Sequence, residues 1–388
     1  MHKQLIRVRA QEIYAPEYLG PGEMLVLGDR IIALQANVTP LVEAMGAGNI
    51  QDISVHRVIP GLIDQHLHLL GGGDGDGPLA RMRELGAEEI LLSGITTAAT
   101  LLGSEMRFKT LRALLYKAEG EAHKGLSTFV YTGSMGADPV SILEDVFSDI
   151  ALFDRIIGAK AAIADPLYNT HPDRLTALAI QLRQARAQTG KPCILHVHVG
   201  RAQQGLESLV RLCEQTGLPP EQVVPTHVNR ATAVTPVFRQ GIEWAKQGGM
   251  IDFTCCLGPL DGIRSGMDTV EAVLQALDAG VPPSQMTLTS DAGVAVPDPE
   301  LGSRQVPPSI LMRDLIRLVQ SGLPWDVALA FVTVNPAQRL GLSKRKGRLA
   351  VGYDADFVCL TETSDIAAVY ASGVFHNRHT KTKRDRND

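Results

Sequence analysis

Two histidines separated by one residue, His66 and His68, carry the clearest chemical signal in the sequence. They follow an apolar run typical of a β-strand, and alternate side chains of a strand point to the same face. Two imidazoles on one face at a strand end can bind one metal ion. Residues 71–73 are all glycine, and such a loop lets the backbone approach a ligand closely. We therefore predict a metal site at this point.

Further side chains able to bind a metal or move a proton end later strand-like runs, namely Lys160, His198, His227 and Asp291. The parallel strands of a barrel end on one face, so these side chains would converge there with the histidine pair. Each has a simpler interpretation when taken alone, such as a surface lysine or a helix-capping aspartate. The ordered set at five strand ends favours a shared site. His196 lies two residues deeper than His198 and is expected to form only a core hydrogen bond.

The elements that must position these residues follow from the alternation of apolar runs with helical stretches. This alternation predicts parallel βα units, and eight of them predict a closed barrel. Helices are expected at residues 174–189 and 236–247. The predicted strands are residues 58–63, 96–102, 128–131, 156–163, 193–199, 223–228, 250–254 and 286–289.

The two ends of the chain have short strands and tight turns instead. Gly28-Asp29-Arg30 lies between two apolar runs and predicts a hairpin. The predicted fold class is α/β, a (β/α)8 TIM barrel with a small β-sandwich domain built from both termini. The barrel is assigned to residues 57–344, and the sandwich to residues 1–56 and 345–388.

The composition excludes several classes of protein. The 388 residues are 45% hydrophobic, enough for a large core, and the net charge of −5 does not favour nucleic-acid binding. No run approaches the ~18 apolar residues of a membrane span, and no signal-peptide core is visible. The five cysteines lack a CxxC pair, which predicts reduced thiols, and Cys255-Cys256 is interpreted as packing at a strand end. We therefore predict a cytoplasmic protein without nucleic-acid or membrane partners.

The order of these site residues along the chain resembles that of the amidohydrolase superfamily, and specifically of its members that bind two metal ions. Residues 60–68 are similar to the opening motif of the superfamily, and residues 352–356 to its closing motif. Within the superfamily the chain most resembles the bacterial isoaspartyl dipeptidases, over nearly its whole length. The resemblance depends mainly on residues 66–73, 155–160, 225–230 and 288–291.

The resemblance implies two divalent metal ions, which we predict to be zinc because nitrogen and oxygen ligands suit it. It also implies that CO2 carbamylates Lys160, since an ammonium group has no lone pair for a metal. His66, His68 and the Lys160 carbamate would bind one ion. His198, His227 and the same carbamate would bind the other.

Catalytic and substrate-binding roles are implied in the same way. Hydroxide that bridges the metals would attack an amide carbonyl, with Asp291 as general base and then general acid. Arg230 would bind a terminal carboxylate through its guanidinium fork, and a salt bridge at the rim is the simpler alternative. The other predicted substrate-binding residues are Gly73, Asp76 and Ser104.

Four positions depart from the isoaspartyl dipeptidase pattern, in which they hold a glutamate, a tyrosine, an arginine and a serine. Asp74 or Asp76 could replace the glutamate, and Tyr131 precedes the position of the tyrosine by four residues. The departures remove polar groups that would bind an isoaspartyl unit, so we expect a less polar acyl portion. The residues at the four positions are Gly75, Met135, Leu167 and Ala295.

The sequence therefore predicts an amide hydrolase that acts on a small peptide-like substrate, either a β-aspartyl dipeptide or a related compound. One alternative is an amidohydrolase of different specificity, for N-acyl amino acids or cyclic amides. Another is a barrel without catalytic activity, which the complete ligand set and Asp291 disfavour. The resemblance also implies a homo-oligomer.

Overall fold

The computed structural model describes residues 4–45, 50–230, 236–263 and 265–377, without the side chain of Asp76. Its strands are β1 (Leu5–Tyr14), β2 (Tyr18–Leu27), β3 (Arg30–Gln35), β4 (Ile50–Pro60), β5 (Leu62–Leu67), β6 (Ile95–Thr100), β7 (Ser127–Gly133), β8 (Ile156–Ile163), β9 (Ile194–Val199), β10 (Val223–Thr226), β11 (Ile251–Thr254), β12 (Met286–Thr289), β13 (Ala295–Asp298), β14 (Gly302–Gln305), β15 (Phe357–Leu360), β16 (Ile366–Ala371) and β17 (Val374–His376). Its α-helices are α1 (Thr39–Ala44), α2 (Ala87–Leu91), α3 (Leu111–His123), α4 (Val146–Leu152), α5 (Pro172–Thr189), α6 (Glu207–Thr216), α7 (Val237–Lys246), α8 (Thr269–Asp278), α9 (Ile310–Gln320), α10 (Trp325–Ala330) and α11 (Val334–Arg339). None of these helices is long and apolar enough to cross a membrane.

Strands from both ends of the chain form one seven-stranded sheet, in the order β17-β16-β15-β4-β1-β2-β3. Within it, β4 pairs with β1 in parallel and with β15 in antiparallel orientation. The predicted β domain built from both termini is therefore present as one continuously paired sheet, because β4 pairs directly with β15. The packing of this sheet into a sandwich stays a prediction. The predicted hairpin is confirmed, with Leu27 opposite Arg30 and Gly28 at a φ of +61°.

The predicted strand 58–63 is wrong, because the structure divides it between two sheets. Residues up to Pro60 belong to β4, and β5 begins at Leu62. Gly61 lies at the division, where a Cβ atom would overlap the side chain of Thr96. The chain thus changes sheets at a residue without a side chain, and β4 extends across the predicted domain boundary at residue 57.

The other predicted strands overlap β6 to β12, and the predicted helices are confirmed as α5 and α7. Six parallel strands form a curled sheet in the order β10-β9-β8-β7-β6-β5, and β11 and β12 form a separate parallel pair. Backbone hydrogen bonds extend from this pair to both edges of the curled sheet. The Val228 N–H donates to Asp252 O at 3.3 Å, and the Asp291 N–H donates to His66 O at 3.1 Å.

Buried polar groups inside the curled sheet connect neighbouring strands. Asp64 on β5 accepts hydrogen bonds from the backbone N–H of His66 and from the hydroxyl of Ser290. Burial raises the pKa of Asp64 to about 7 and that of Asp252 to about 6. On β11, Asp252 accepts hydrogen bonds of 2.6 to 2.8 Å from the hydroxyls of Thr226, Thr287 and Thr289.

Candidate active site

The ends of β5 and β12 bring two histidines and one aspartate together. His66 lies in β5 and His68 directly follows it, and Asp291 comes two residues after β12. The Oδ1 atom of Asp291 lies 3.2 Å from Nε2 of each histidine. Asp291 has a φ of +55°, a backbone conformation that is costly for a residue with a side chain and that occurs at functional sites.

Lys160 lies in β8, and its buried Nζ atom has no hydrogen-bond partner among the described residues. Burial lowers the pKa of Lys160 to about 7, because desolvation disfavours the ammonium form. The neighbouring strands approach closely, since a Cβ atom on Gly158 would overlap the backbone of Ile194. A fraction of this lysine is therefore a neutral amine near pH 7, the form that can react with CO2.

His198 on β9 and His227 after β10 extend the histidine pair to a group of four imidazoles. Their ring centroids are 4.7 Å apart, and the ring of His227 is 5.0 Å from that of His66. His227 has a φ of +66°, in the same uncommon region as Asp291. The four rings, Lys160 and Asp291 line one cavity of about 690 Å³. The structure thus brings together all six residues predicted to bind metal or catalyse.

Each of these histidines has a side-chain partner at one ring nitrogen, as is common for metal-binding histidines, and three of the four partners are buried. Glu105, Asp165 and Thr254 were not predicted in this role from the sequence. For His196 the predicted core hydrogen bond is confirmed, with a site histidine as its partner. The pairs are His68 Nδ1 with Glu105 (2.7 Å), His198 Nε2 with Asp165 (3.2 Å), His227 Nδ1 with Thr254 (2.8 Å) and His66 Nδ1 with His196 (2.9 Å).

The carboxylates around His68 favour a positive charge between them. Burial alone lowers the pKa of His68, but the adjacent Glu105 and Asp291 raise it to about 9. Burial raises the pKa of Asp291, yet His68 and Lys160 hold it below its ordinary value. For His66, burial lowers the pKa, so that ring is neutral. A divalent cation bound to His68 Nε2 would replace the proton beside Asp291, while Nδ1 would keep its contact with Glu105.

This set of donor atoms fits a metal centre. The ligand atoms of His66, His68 and Asp291 all lie within 4.8 Å of one another. Imidazole nitrogens and carboxylate oxygens are the ligands of zinc and similar divalent ions. The unpartnered amine of Lys160 is placed beside this group and would supply oxygen donors if it were carbamylated.

A family model described as "Amidohydrolase family" matches residues 57–376. The chain belongs to the amidohydrolase family. Two curated relatives are an N-acetylglucosamine-6-phosphate deacetylase of Mus musculus, 40% identical over 73 residues, and an allantoinase of Deinococcus radiodurans, 51% identical over 53 residues. These matches cover 19% and 13% of the amidohydrolase described here, and only 17% and 12% of the relatives.

A solved structure extends the similarity to the whole chain. The β-aspartyl dipeptidase of Fervidobacterium islandicum AW-1, in complex with β-Asp-Leu, is 29% identical, with a TM-score of 0.84. The alignment covers 96% of each chain. The predicted membership of the amidohydrolases and the similarity to isoaspartyl dipeptidases are therefore confirmed, and the protein is a metal-dependent amidohydrolase.

Three of the predicted substrate-binding residues of this amidohydrolase line the same cavity, namely Gly73, Ser104 and Arg230. Arg230 has a buried Nε atom without a hydrogen-bond partner among the described residues. Gly73 has a φ of +86°, and a Cβ atom there would overlap the carbonyl oxygen of Ala80. The side chain of Asp76 lies outside the described residues. Arg201 also lines the cavity, although no sequence pattern predicted it.

The positions that depart from the isoaspartyl dipeptidase pattern make the cavity of the amidohydrolase less polar. At Gly75, a Cβ atom would lie 2.6 Å from Ser104 Cβ and 2.8 Å from the hydroxyl oxygen of Tyr168, so a glutamate does not fit. Tyr131 is stacked on His196 with ring centroids 5.0 Å apart and is not part of the cavity wall. The three apolar replacements all line the cavity, and they are Met135, Leu167 and Ala295.

Asp74 was one of two candidates to replace the missing glutamate, and the structure gives it other partners. Its carboxylate lies 2.9 Å from Lys109 Nζ and 3.4 Å from Arg81 Nε. Asp74 is also largely buried. It is therefore neutralised within the protein and is not free to bind a substrate ammonium group.

The cysteines agree with the predicted reduced state, since all five are free. Cys255 and Cys256 follow β11 and are buried, as expected for packing at a strand end. Cys256 additionally lines the substrate cavity. Burial raises the pKa of both thiols, which keeps them protonated.

Proposed function

We propose that this amidohydrolase cleaves the amide bond of a small substrate with a free carboxylate, either a dipeptide-like compound or an N-acyl amino acid. The placement of Asp291, the four histidines, Lys160 and Arg230 around one cavity carries this proposal. The catalytic unit would be a closed eight-stranded barrel over residues 57–344, with residues 1–56 and 345–388 as its β domain. The cytoplasmic location and the homo-oligomer stay predictions.

Two divalent ions, for which zinc is our proposal, would share the carbamylated side chain of Lys160. His66 and His68 would complete the site of one ion, and His198 and His227 that of the other. When bound, such ions acidify water and polarise the amide carbonyl. The lowered pKa of Lys160 supports this assignment, because only the neutral amine can be carbamylated.

Asp291 would move the proton in the reaction. Because its pKa is held below the ordinary value, Asp291 is ionised near neutral pH and can accept a proton from the attacking water. The water oxygen bonds to the carbonyl carbon, and the C–N bond then breaks. Asp291 returns the proton to the departing nitrogen, so the products are a carboxylic acid and an amine.

The cavity wall favours an acyl portion without charge. The residues that replace the polar groups of the isoaspartyl dipeptidases are apolar, and Asp74 is paired with Lys109. Arg230 and Arg201 supply positive charge to the same cavity. A carboxylate on the leaving amino acid would accept charge-assisted hydrogen bonds from Arg230. N-acyl amino acids and plain dipeptides are therefore favoured over β-aspartyl dipeptides.

The test compares three substrates with the same leaving group: N-acetyl-leucine, alanyl-leucine and β-aspartyl-leucine. The zinc-loaded protein is assayed with bicarbonate present. We expect kcat/KM to be highest for N-acetyl-leucine or alanyl-leucine. Arg230→Ala should raise KM for these by about tenfold or more, because hydrogen bonds to charged groups contribute about 1.5–3 kcal/mol. N-acetyl-leucinamide, which lacks the carboxylate, is the control and should not respond to Arg230→Ala.

Each contrary outcome has a separate meaning. Fastest turnover of β-aspartyl-leucine would contradict the uncharged acyl portion and make the protein an isoaspartyl dipeptidase. Inactivity toward all three substrates with metal bound would favour a cyclic amide. Inactivity together with failure to bind metal would favour the barrel without catalytic activity.

A further inference from the structure

His66 differs from the other three site histidines in the partner of its second ring nitrogen. Oxygen atoms of Glu105, Asp165 and Thr254 hold the other rings. The Nδ1 atom of His66 instead lies 2.9 Å from Nε2 of another imidazole, His196. Both rings are fully buried, so no solvent competes for this hydrogen bond.

We propose that His196 is a positioning residue that fixes the tautomer and orientation of His66 for metal binding, an inference that rests on the proposed metal site. The Nε2 atom of His66 lies 3.2 Å from Asp291 Oδ1, so Nε2 is the ring nitrogen at the metal side. A ligating nitrogen needs its lone pair, so the proton of neutral His66 belongs on Nδ1. That N–H then donates to His196 Nε2, which must be unprotonated.

The surroundings of His196 hold its ring in the orientation that this hydrogen bond requires. It is stacked on Tyr131, with centroids 5.0 Å apart and an interplanar angle of 15°. The rings of His196 and His66 meet edge-on, with centroids 4.9 Å apart and an interplanar angle of 75°. A buried ring packed on two sides has few alternative rotamers. The acceptor nitrogen is therefore already in place before a metal ion binds.

Because Nε2 of neutral His196 acts as the acceptor, the proton of this ring lies on its Nδ1 atom. This atom is buried and has no partner among the described residues, and neither does Lys160 Nζ. Lys160 on β8 is the register partner of His196 on β9, so the two side chains are neighbours on one face of the sheet. No hydrogen bond joins these two side chains in the structure. A carbamate on Lys160 would add oxygen acceptors on the same face as His196, so the inference depends on the observed contact between His196 and His66.

The experiment compares His196→Gln with His196→Leu. Glutamine retains an acceptor for the His66 N–H, whereas leucine fills a similar volume without one. The affinity for Zn2+ is measured by competition with a chelator. The visible absorption spectrum of the Co2+-loaded protein reports the geometry of the ligands, and circular dichroism checks the fold. We expect the leucine variant to bind one of its two ions about 10–100-fold more weakly and to have an altered Co2+ spectrum. The Zn2+ affinity of the glutamine variant should stay within about threefold of that of the wild type.

Two results would overturn the inference. One is wild-type affinity in the leucine variant, and the other is an equal loss in both variants, which would assign the effect to packing against Tyr131. Should the leucine variant fail to fold, His196→Asn replaces it, because its shorter amide ends near the position of Nδ1. These measurements need no substrate, so they are independent of the substrate class. A wild-type protein that binds no metal would overturn the proposed function itself.

Discussion

Two residues of the site, His227 and Asp291, adopt left-handed backbone conformations with φ values of +66° and +55°. Each such conformation costs on the order of 1–3 kcal/mol for a residue other than glycine. Backbone hydrogen bonds hold both, since the Asp291 N–H donates to His66 O in β5 and the Arg230 N–H donates to His227 O. The carboxylate of Asp291 therefore depends on β5 for its position as well as on its own strand.

Replacement of Asp291 by asparagine separates proton transfer from structure at the residue scale. The amide has nearly the same size, but it cannot accept a proton from water. We expect Asp291→Asn to retain its fold and most of its bound metal, while kcat falls by about 100-fold or more. Metal analysis and steady-state kinetics on one preparation provide the check. A kcat within about tenfold of wild type would remove Asp291 from the proton-transfer step.

The six residues predicted to bind metal or catalyse line one cavity. The sequence could single them out because each lies at or near the end of an apolar run, a pattern that depends only on local order. Their roles stay proposals. Glu105 was missed, since it lies in the short turn Ser104–Arg107 and meets His68 across 37 residues of chain. Such a contact arises from tertiary folding and leaves no periodic pattern. The same holds for Tyr168, whose hydroxyl fills the space beside Gly75.

At the scale of elements, β8 carries Lys160 between two strands that approach it closely. Seven of the eight predicted strands each match a single observed strand, because buried parallel strands are continuous apolar runs. The same property hides the division at Gly61, since β4 and β5 are both apolar there and no polar residue marks the change of sheet. The pairing of β4 with β15 was equally invisible, because it joins segments far apart in the chain.

Gly158 is the position in β8 where a small change should disturb Lys160 most. A Cβ atom there would overlap the backbone of Ile194 in β9, which cannot move without breaking the sheet. We expect Gly158→Ala to lower the free energy of unfolding by about 1–3 kcal/mol and to weaken metal binding. Chemical denaturation of the wild-type and variant proteins, each with and without chelator, provides the measurement.

Gly120 supplies a matched control for that prediction. It lies exposed in α3, and beyond its own helix backbone no described atom comes within 4 Å of the point where a Cβ atom would sit. Gly120→Ala should therefore be neutral or stabilise the protein by about 0.5–1 kcal/mol. Equal stability of the two variants would show that β8 and β9 tolerate a wider separation than the structure indicates.

At the scale of the whole molecule, the site residues come from five strands distributed over most of the curled sheet and the β11–β12 pair. They converge only in the folded chain, so an ion that binds them should stabilise the native state against unfolding. Glu105 and Asp291 set the starting charge of the site, because they raise the pKa of His68 from an ordinary 6.5 to about 9. Binding of a cation must displace that proton.

Metal removal should therefore lower Tm by an amount that depends on pH. Without metal, protonated His68 stabilises the fold fully below about pH 6.5, and this contribution is lost as pH rises through about 9. Metal affinity rises over the same interval because less proton must be displaced. The difference in Tm between metal-loaded and chelator-treated protein should thus grow between about pH 6 and pH 9, as measured by differential scanning calorimetry.

Glu105→Gln is the control for this pH dependence. It removes a charge that raises the pKa of His68, so the difference in Tm should depend less on pH. A constant difference in the wild type would show that His68 does not bind the ion.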